Sequence, residues 1–275
     1  MGARKEEKLK KVLEAVPAGF LVDSGWLDAH DVSRFLTRKY IEGDWLERLA
    51  RGVFRRPASG DSRSSTTDWQ TCLLSVQHIM DYKVHVGGMT ALALQGHSHY
   101  LPLGGNAPVW LYGQDIPNWL TKMPLNAQLM MRSTTLFDDP ALSLVKDEAS
   151  AQDTLPWDWR LITSSPERAV LEALDELPDN ESFHNLDMVF EGLVNLRPKI
   201  LTALLQSCRK IKVRRLFFVF ADRHAHAWRK RLTTGDFNLG SGDRALVKGG
   251  KIHPRYRIMV PAEFIDTTKE ADDGA

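Results

Sequence analysis

Arginine and lysine dominate the chemistry this sequence could perform. Arg34, Thr37, Arg38 and Ile41 stand at i, i+3, i+4 and i+7, a spacing that brings side chains to one face of a helix. Lys39 is next in line, and Arg48, Arg51, Arg55 and Arg56 follow closely. Guanidinium groups at this density make charge-assisted, often bidentate, hydrogen bonds to phosphate or carboxylate. Ser33 precedes the stripe as a helix cap, and with the free amides of the first turn it can hold a phosphate. A second basic group lies far along the chain. Arg214, Arg215, Arg223, Arg229 and Lys230 fall on or beside one helical stretch, and Arg244, Lys248, Lys251 and Arg255 come after it. If both parts face the same way they form one surface for RNA, DNA phosphates or an acidic protein, and charge alone does not choose among these.

Residues for catalysis or metal binding are thin by comparison. His97-Ser98-His99 and His224-Ala225-His226 are H-x-H pairs, but on the helix expected at 213–231 His224 and His226 point away from each other. Asp138-Asp139 and Asp147-Glu148 are adjacent carboxylates without a nuclease pattern behind them. The G-x-S-x-G and H-E-x-x-H patterns do not occur, nor does either glycine-rich phosphate loop. Cys72 and Cys208 are the only cysteines, which excludes a disulfide framework and a four-thiolate metal site. No catalytic group, metal or cofactor is expected.

The elements that must carry the first basic group are legible. Leu9, Val12, Leu13 and Val16 recur at helical spacing. Ser24 can cap a short helix with Trp26 and Leu27, and a turn follows at His30-Asp31-Val32. A second helix begins after Ser33, turns Leu36 and Tyr40 inward and stops at Gly43. Two apolar pairs, Trp45-Leu46 and Val53-Phe54, flank Ala50-Arg51-Gly52 as a hairpin. Helix, turn, helix and two-stranded wing in LDAHDVSRFLTRKYIEGDWLERLARGVF match the winged helix-turn-helix, whose second helix enters the major groove of DNA. Asp31 stands where many such turns have Gly, a small cost because Asp tolerates the left-handed region.

The remainder reads as mixed α/β. Helices are expected at 69–80, 89–95, 166–177, 182–194 and 198–207, with strands at 109–112, 128–131 and 160–163. Ser165 and Pro166 give the third of these helices a strong start. Residues 213–231 read as an amphipathic helix with a basic polar face, and the end of the chain as two strands meeting at Gly249-Gly250. Ala58–Asp68, rich in Ser, Thr and Gly, reads as a linker. The expected class is therefore α+β: a winged helix at 1–57, a short linker at 58–68 and a larger α/β domain at 69–275.

The net charge of +1 over 275 residues conceals a strong asymmetry. Residues 1–60 hold 12 basic and 9 acidic side chains, 61–208 hold 9 and 18, and 209–257 hold 14 and 3. Basic ends around an acidic middle suggest a polyanionic or acidic partner. The longest strongly apolar run, LFFVF, is far shorter than a membrane span, and the charged start MGARKEEKLKK lacks the apolar core of a secretory signal. A cytoplasmic protein with no membrane partner is expected.

Four stretches resemble a known family: GGMTALALQGHSHYL at 87–101, SSPERAVLEALDELP at 164–178, FFVFADRHAHAWRKRL from 217, and LGSGDRALVKGGKIHPRYRIMVP ending at 261. With the winged helix ahead of them they are similar, in order, to the AbiEi antitoxins, the transcriptional-regulator halves of bacterial abortive-infection toxin–antitoxin pairs of type IV. The resemblance implies an N-terminal domain that represses its own operon at inverted repeats in double-stranded DNA. It also implies a C-terminal domain that counters a nucleotidyltransferase-like toxin, with direct contact left open. Two other classes remain beside it: a winged-helix regulator whose C-terminal domain senses a ligand or oligomerises, and a nucleic-acid-processing enzyme targeted by the winged helix.

Overall fold

The structure, a computed structural model, describes residues 2–58, 66–97, 108–148, 159–224 and 226–265. It is an α+β chain of two compact units. The first comprises Met1–Val86, Pro102–Ser133 and Lys146–Thr163, the second Gly87–Leu101, Thr134–Val145 and Ser164–Ala275. The linker expected at 58–68 falls within the span of the first unit, and its residues 59–65 lie outside the described residues.

In the first unit, α1 (Gly2–Ala15) leads through β1 (Leu21–Asp23) into α2 (Ser24–Ala29) and α3 (Arg34–Glu42). A hairpin of β2 (Glu47–Ala50) and β3 (Val53–Arg55) follows, and β1 joins it to give an antiparallel sheet in the order β1-β3-β2. This is a helix-turn-helix with a wing. Its core is Val12, Val16, Leu27, Val32, Leu36, Tyr40 and Leu46, all buried. The cap of α2 is Asp23 and not Ser24: the Asp23 carboxylate accepts the Trp26 amide at 2.8 Å, and Ser24 is the first helical residue. Asp has the same short acceptor as Ser one position earlier, so the sequence offers both. Between the helices Asp31 takes φ +58°. At the wing turn Gly52 has φ +78°, and a Cβ there would lie 3.0 Å from Ser24 Oγ, so the turn requires glycine.

A five-stranded sheet has the order β6-β5-β4-β8-β7, made of β4 (Val84–Val86), β5 (Val109–Gly113), β6 (Leu129–Arg132), β7 (Leu144–Lys146) and β8 (Ile162–Ser164); β4, β5, β6 and most of β8 belong to the first unit, whereas Leu144, Val145 and Ser164 are counted in the second. Ahead of it α4 (Trp69–Leu74) runs on into one π-helical turn, Ser75–Ile79. Gln77 in that turn donates to the carbonyls of Val84 and Ile162 and accepts the Ile162 amide, joining two strands. The winged segment is fastened here. Leu21 N donates to Ser75 Oγ at 3.0 Å, and the Phe20 ring meets Trp159 edge-on at 5.5 Å. Asp23, besides capping α2, accepts the Tyr82 hydroxyl at 2.6 Å and the Trp119 indole N–H at 3.1 Å.

The second unit holds α5 (Gly88–Leu94), α6 (Pro166–Asp175), α7 (Phe183–Gly192), α8 (Pro198–Ser207), α9 (Ile211–Arg223) and a short ladder of β9 (Lys251–Ile252) with β10 (Met259–Val260). Ser165 caps α6 and Pro166 opens it. On α6, Arg168 and Glu172 are each 1% exposed and paired at 2.7 Å. Arg168 also donates to the carbonyls of Pro140 and Leu142, and Glu172 accepts from Gly88 N and Ser164 Oγ, so every charge in this buried pair has further partners.

Two expectations fail in this unit. The helix expected at 213–231 ends at Arg223, and it is not amphipathic: every residue from Val213 to Ala221 is buried. It packs within a cluster of Phe190, Phe183, Phe237, Tyr256 and Phe264. The arginines that suggested a polar face are accommodated by carbonyls, Arg215 donating to those of Leu239, Gly242 and Arg257 at 2.6–2.8 Å. The final strands also do not meet at Gly249-Gly250. Val260 pairs with Lys251 and Met259 with Ile252, so the connection is the segment 253–258.

Candidate nucleic-acid interface

The exposed face of α3 is set by which residues the core withdraws. Leu36 and Tyr40 face inward, as their spacing requires. Thr37 is 8% exposed, its hydroxyl donating to Ser33 O at 3.2 Å, and Ile41 is half-buried. The outward face is therefore Arg34, Phe35, Arg38, Lys39 and Glu42. This is turned by part of a helical step from the expected stripe of Arg34, Thr37, Arg38 and Ile41. Arg38 Nε lies 3.1 Å from Glu42 and Lys39 Nζ 3.9 Å from the same carboxylate. Such exposed i,i+3 and i,i+4 pairs are weak and give way readily to a phosphate. Ser33 caps α3, accepting the Leu36 amide at 3.4 Å.

The wing supplies Arg48 and Arg51, both exposed. Arg34, Arg38, Arg48 and Arg51, with Thr37 and Ile41 at its base, line one concave surface of about 690 Å³. Arg55 and Arg56, expected on the wing surface, are engaged within the fold instead, Arg55 buried and Arg56 half-buried. Arg55 is 6% exposed and bonded to Glu47 at 2.8 Å, and Arg56 donates to the carbonyls of Leu13 and Val16 at the end of α1. Alternation along β3 cannot show this in advance, because the strand is buried on both faces. A convex helix flanked by a cationic wing has the form and charge to enter a major groove and grip the phosphates beside it.

The second basic group is divided. Arg214 and Arg215 are buried in α9. Arg223 pairs with Asp187 at 3.0 Å and Arg229 with Asp222 at 2.6 Å, both mostly covered. Lys230, Arg244, Lys248 and Lys251 are exposed, as is Arg255, which reaches Asp222 at 3.3 Å. One polar hub underlies part of this surface. Burial pushes the Tyr256 phenol up to about 12, assisted by the Asp222 carboxylate that accepts its hydroxyl. Burial likewise raises Tyr82 to about 12, with Asp23 adding to the effect.

The His224–His226 pair resolves into ordinary contacts; it lies beyond the end of α9, and its rings stack at 5.8 Å and do not point apart as a helix would have set them. His224 Nε2 is 2.9 Å from Asp187, and His226 Nε2 is 2.7 Å from Phe190 O. Of the other pair, Ser98 and His99 lie outside the described residues. Among the described residues no group of three or more His, Cys, Asp or Glu could hold a metal, and no helix is long and apolar enough to cross a membrane. Not legible in the sequence were Phe35 and Glu42 on the outward face of α3, the threefold acceptor Asp23, and the Arg168–Glu172 pair. For the last, the i,i+4 spacing of Arg168 and Glu172 on α6 was the available signal.

Residues 5–103 match the family described as Transcriptional regulator, AbiEi antitoxin N-terminal domain, and residues 106–261 match Transcriptional regulator, AbiEi antitoxin, Type IV TA system. Among solved structures the chain is similar to the RV2827C protein from Mycobacterium tuberculosis, with a TM-score of 0.54 and 13% identity over 87% of this chain and 85% of that one. That likeness is one of fold. No curated protein matches the chain. With both parts of the family pattern in order along almost the whole sequence, the chain belongs to the AbiEi antitoxins, transcriptional regulators of type IV toxin–antitoxin systems.

Proposed function

We propose that the chain binds duplex DNA through α3 and its wing, represses its own operon at inverted repeats, and counters a nucleotidyltransferase-like toxin through the region 69–275. The observation that carries the DNA reading is the gathering of Arg34, Arg38, Arg48 and Arg51, from two elements, around one concave surface beside an exposed helix. Among the described residues, Asp28 is the one acidic side chain lining that surface. The family descriptions, regulator and antitoxin, support both halves of the reading.

On this reading Arg34 and Arg38 lie over base edges and phosphates in the major groove, and Arg48 and Arg51 hold the flanking backbone. Toxin-countering falls to the exposed cations Lys230, Arg244, Lys248, Lys251 and Arg255, because Arg214, Arg215, Arg223 and Arg229 are engaged within the fold. The test is a reporter fused to the DNA upstream of this reading frame. Full-length protein should repress it, and Arg34→Ala with Arg38→Ala should relieve repression at equal protein level. Repression unaltered in that double variant would remove α3 from the reading role.

A further inference from the structure

Phe35 is the most exposed large apolar side chain among the described residues, at 59%. It is the second residue of α3, and the helix leaves it no inward option, since Leu36 and Tyr40 occupy the buried side. Its ring is instead framed by cations. Lys39, one turn on, holds its ammonium 5.6 Å from the ring centroid, and Arg34 and Arg38 are its neighbours on the exposed face. An apolar patch ringed by like charges is a poor seat for a second copy of the same surface, because the two sets of cations repel. It suits an apolar group embedded in a polyanion. The floor of the DNA major groove offers one such group, the C5-methyl of thymine.

We infer that Phe35 reads a thymine by packing its ring against that methyl, while Lys39 and the two arginines hold the flanking phosphates and set the register. The inference rests on the DNA-binding reading above and adds to it a source of base preference. Phe35 lies in the first turn of α3, where the N-terminal residues of a reading helix meet base edges.

The test uses the full-length chain and a randomised duplex library. Wild type should enrich a site with thymine at a fixed position. Replacing that thymine by deoxyuridine removes only the methyl, and should weaken binding about fourfold, the worth of burying one such carbon. Phe35→Ala should lose a similar factor on the thymine duplex and bind the two duplexes equally, whereas Phe35→Leu should keep part of the preference. Phe35 is exposed, so both variants should fold, and melting temperature checks this. Equal wild-type affinity for thymine and deoxyuridine at every enriched position would overturn the inference, as would discrimination retained by Phe35→Ala. So would a Phe35→Ala protein that binds as wild type but changes its oligomeric state, which would make Phe35 a protein contact. Failure of the DNA reading itself looks different: no site is enriched, and Arg34→Ala and Arg38→Ala then bind as wild type.

Discussion

Asp23 accepts the hydroxyl of Tyr82 at 2.6 Å across 59 residues of sequence. The same carboxylate caps α2 through the Trp26 amide and takes the Trp119 indole N–H at 3.1 Å. One side chain thus fixes the start of the helix-turn-helix to two segments of the same unit, one just before β4 and one after β5. Precise placement of a reading helix depends on support of this kind.

Asp23→Ala should remove the cap, worth about 1 kcal/mol, and leave two half-buried donors without an acceptor, at about 1 kcal/mol each. We expect a loss of about 2–3 kcal/mol by urea unfolding, and a smaller loss for Asp23→Asn, which keeps one acceptor oxygen. A midpoint unchanged in Asp23→Ala would show that the triple contact contributes little.

Stability should fall at both ends of the pH range. Tyr82 and Tyr256 are raised to about 12 from 10.0, so the folded state holds their protons more tightly than the unfolded chain. Their contribution is complete below pH 10.0 and is lost as pH climbs toward about 12. Glu167 and Asp187 behave in the opposite sense. Burial pushes both carboxyls up, but Arg197 on Glu167, and Arg223 with His224 on Asp187, more than offset it and hold them below 4.5 and 3.8. Their contribution is present above those values and lost as pH falls through the lowered ones. Melting temperature followed against pH should decline on both limbs, with Tyr82→Phe and Tyr256→Phe flattening the alkaline one. A melting temperature constant up to pH 12 would contradict the assignment.

Basic side chains of the same C-terminal group should differ sharply when reversed. Arg215→Glu places a carboxylate among three backbone carbonyls at 2% exposure and should cost at least about 3–5 kcal/mol. Lys230→Glu and Lys248→Glu, both exposed, should stay within about 0.5 kcal/mol each. Thermal unfolding of the three proteins decides it, and equal midpoints would refute the buried arrangement of Arg215.

What the sequence made legible was local. Ser33, Ser165 and Pro166 announced α3 and α6 because a cap acts within a few residues of itself. The inward side of α3 followed from Leu36 and Tyr40. Three-residue strands such as β1, β4 and β7 escaped because they are too short to show alternation. The burial of α9 escaped for another reason: the carbonyls that receive Arg215 come from residues 239, 242 and 257, and no helical period encodes a loop that returns from so far along the chain. The same limit hid the inward roles of Arg55 and Arg56. Each finds its partner across a strand or at the end of a distant helix.

If the exposed C-terminal cations counter the toxin, reversing Lys230, Arg244, Lys248 and Lys251 to Glu together should abolish protection in cells co-expressing it while repression persists. These side chains lie on the surface, so the variant should fold and its melting temperature should move little. Full protection by a folded quadruple variant would assign antitoxicity elsewhere.

If α3 and the wing grip duplex DNA through cations, binding must weaken with salt in proportion to the phosphates they hold. Affinity of the full-length chain for a duplex from upstream of its reading frame would be measured across a salt series, for wild type, Arg48→Ala and Arg51→Ala. Each phosphate contact contributes about 0.9 to the slope of log affinity against log salt. Each wing variant should flatten the slope by about one unit while leaving sequence preference intact. Slopes identical to wild type in both variants would contradict that grip.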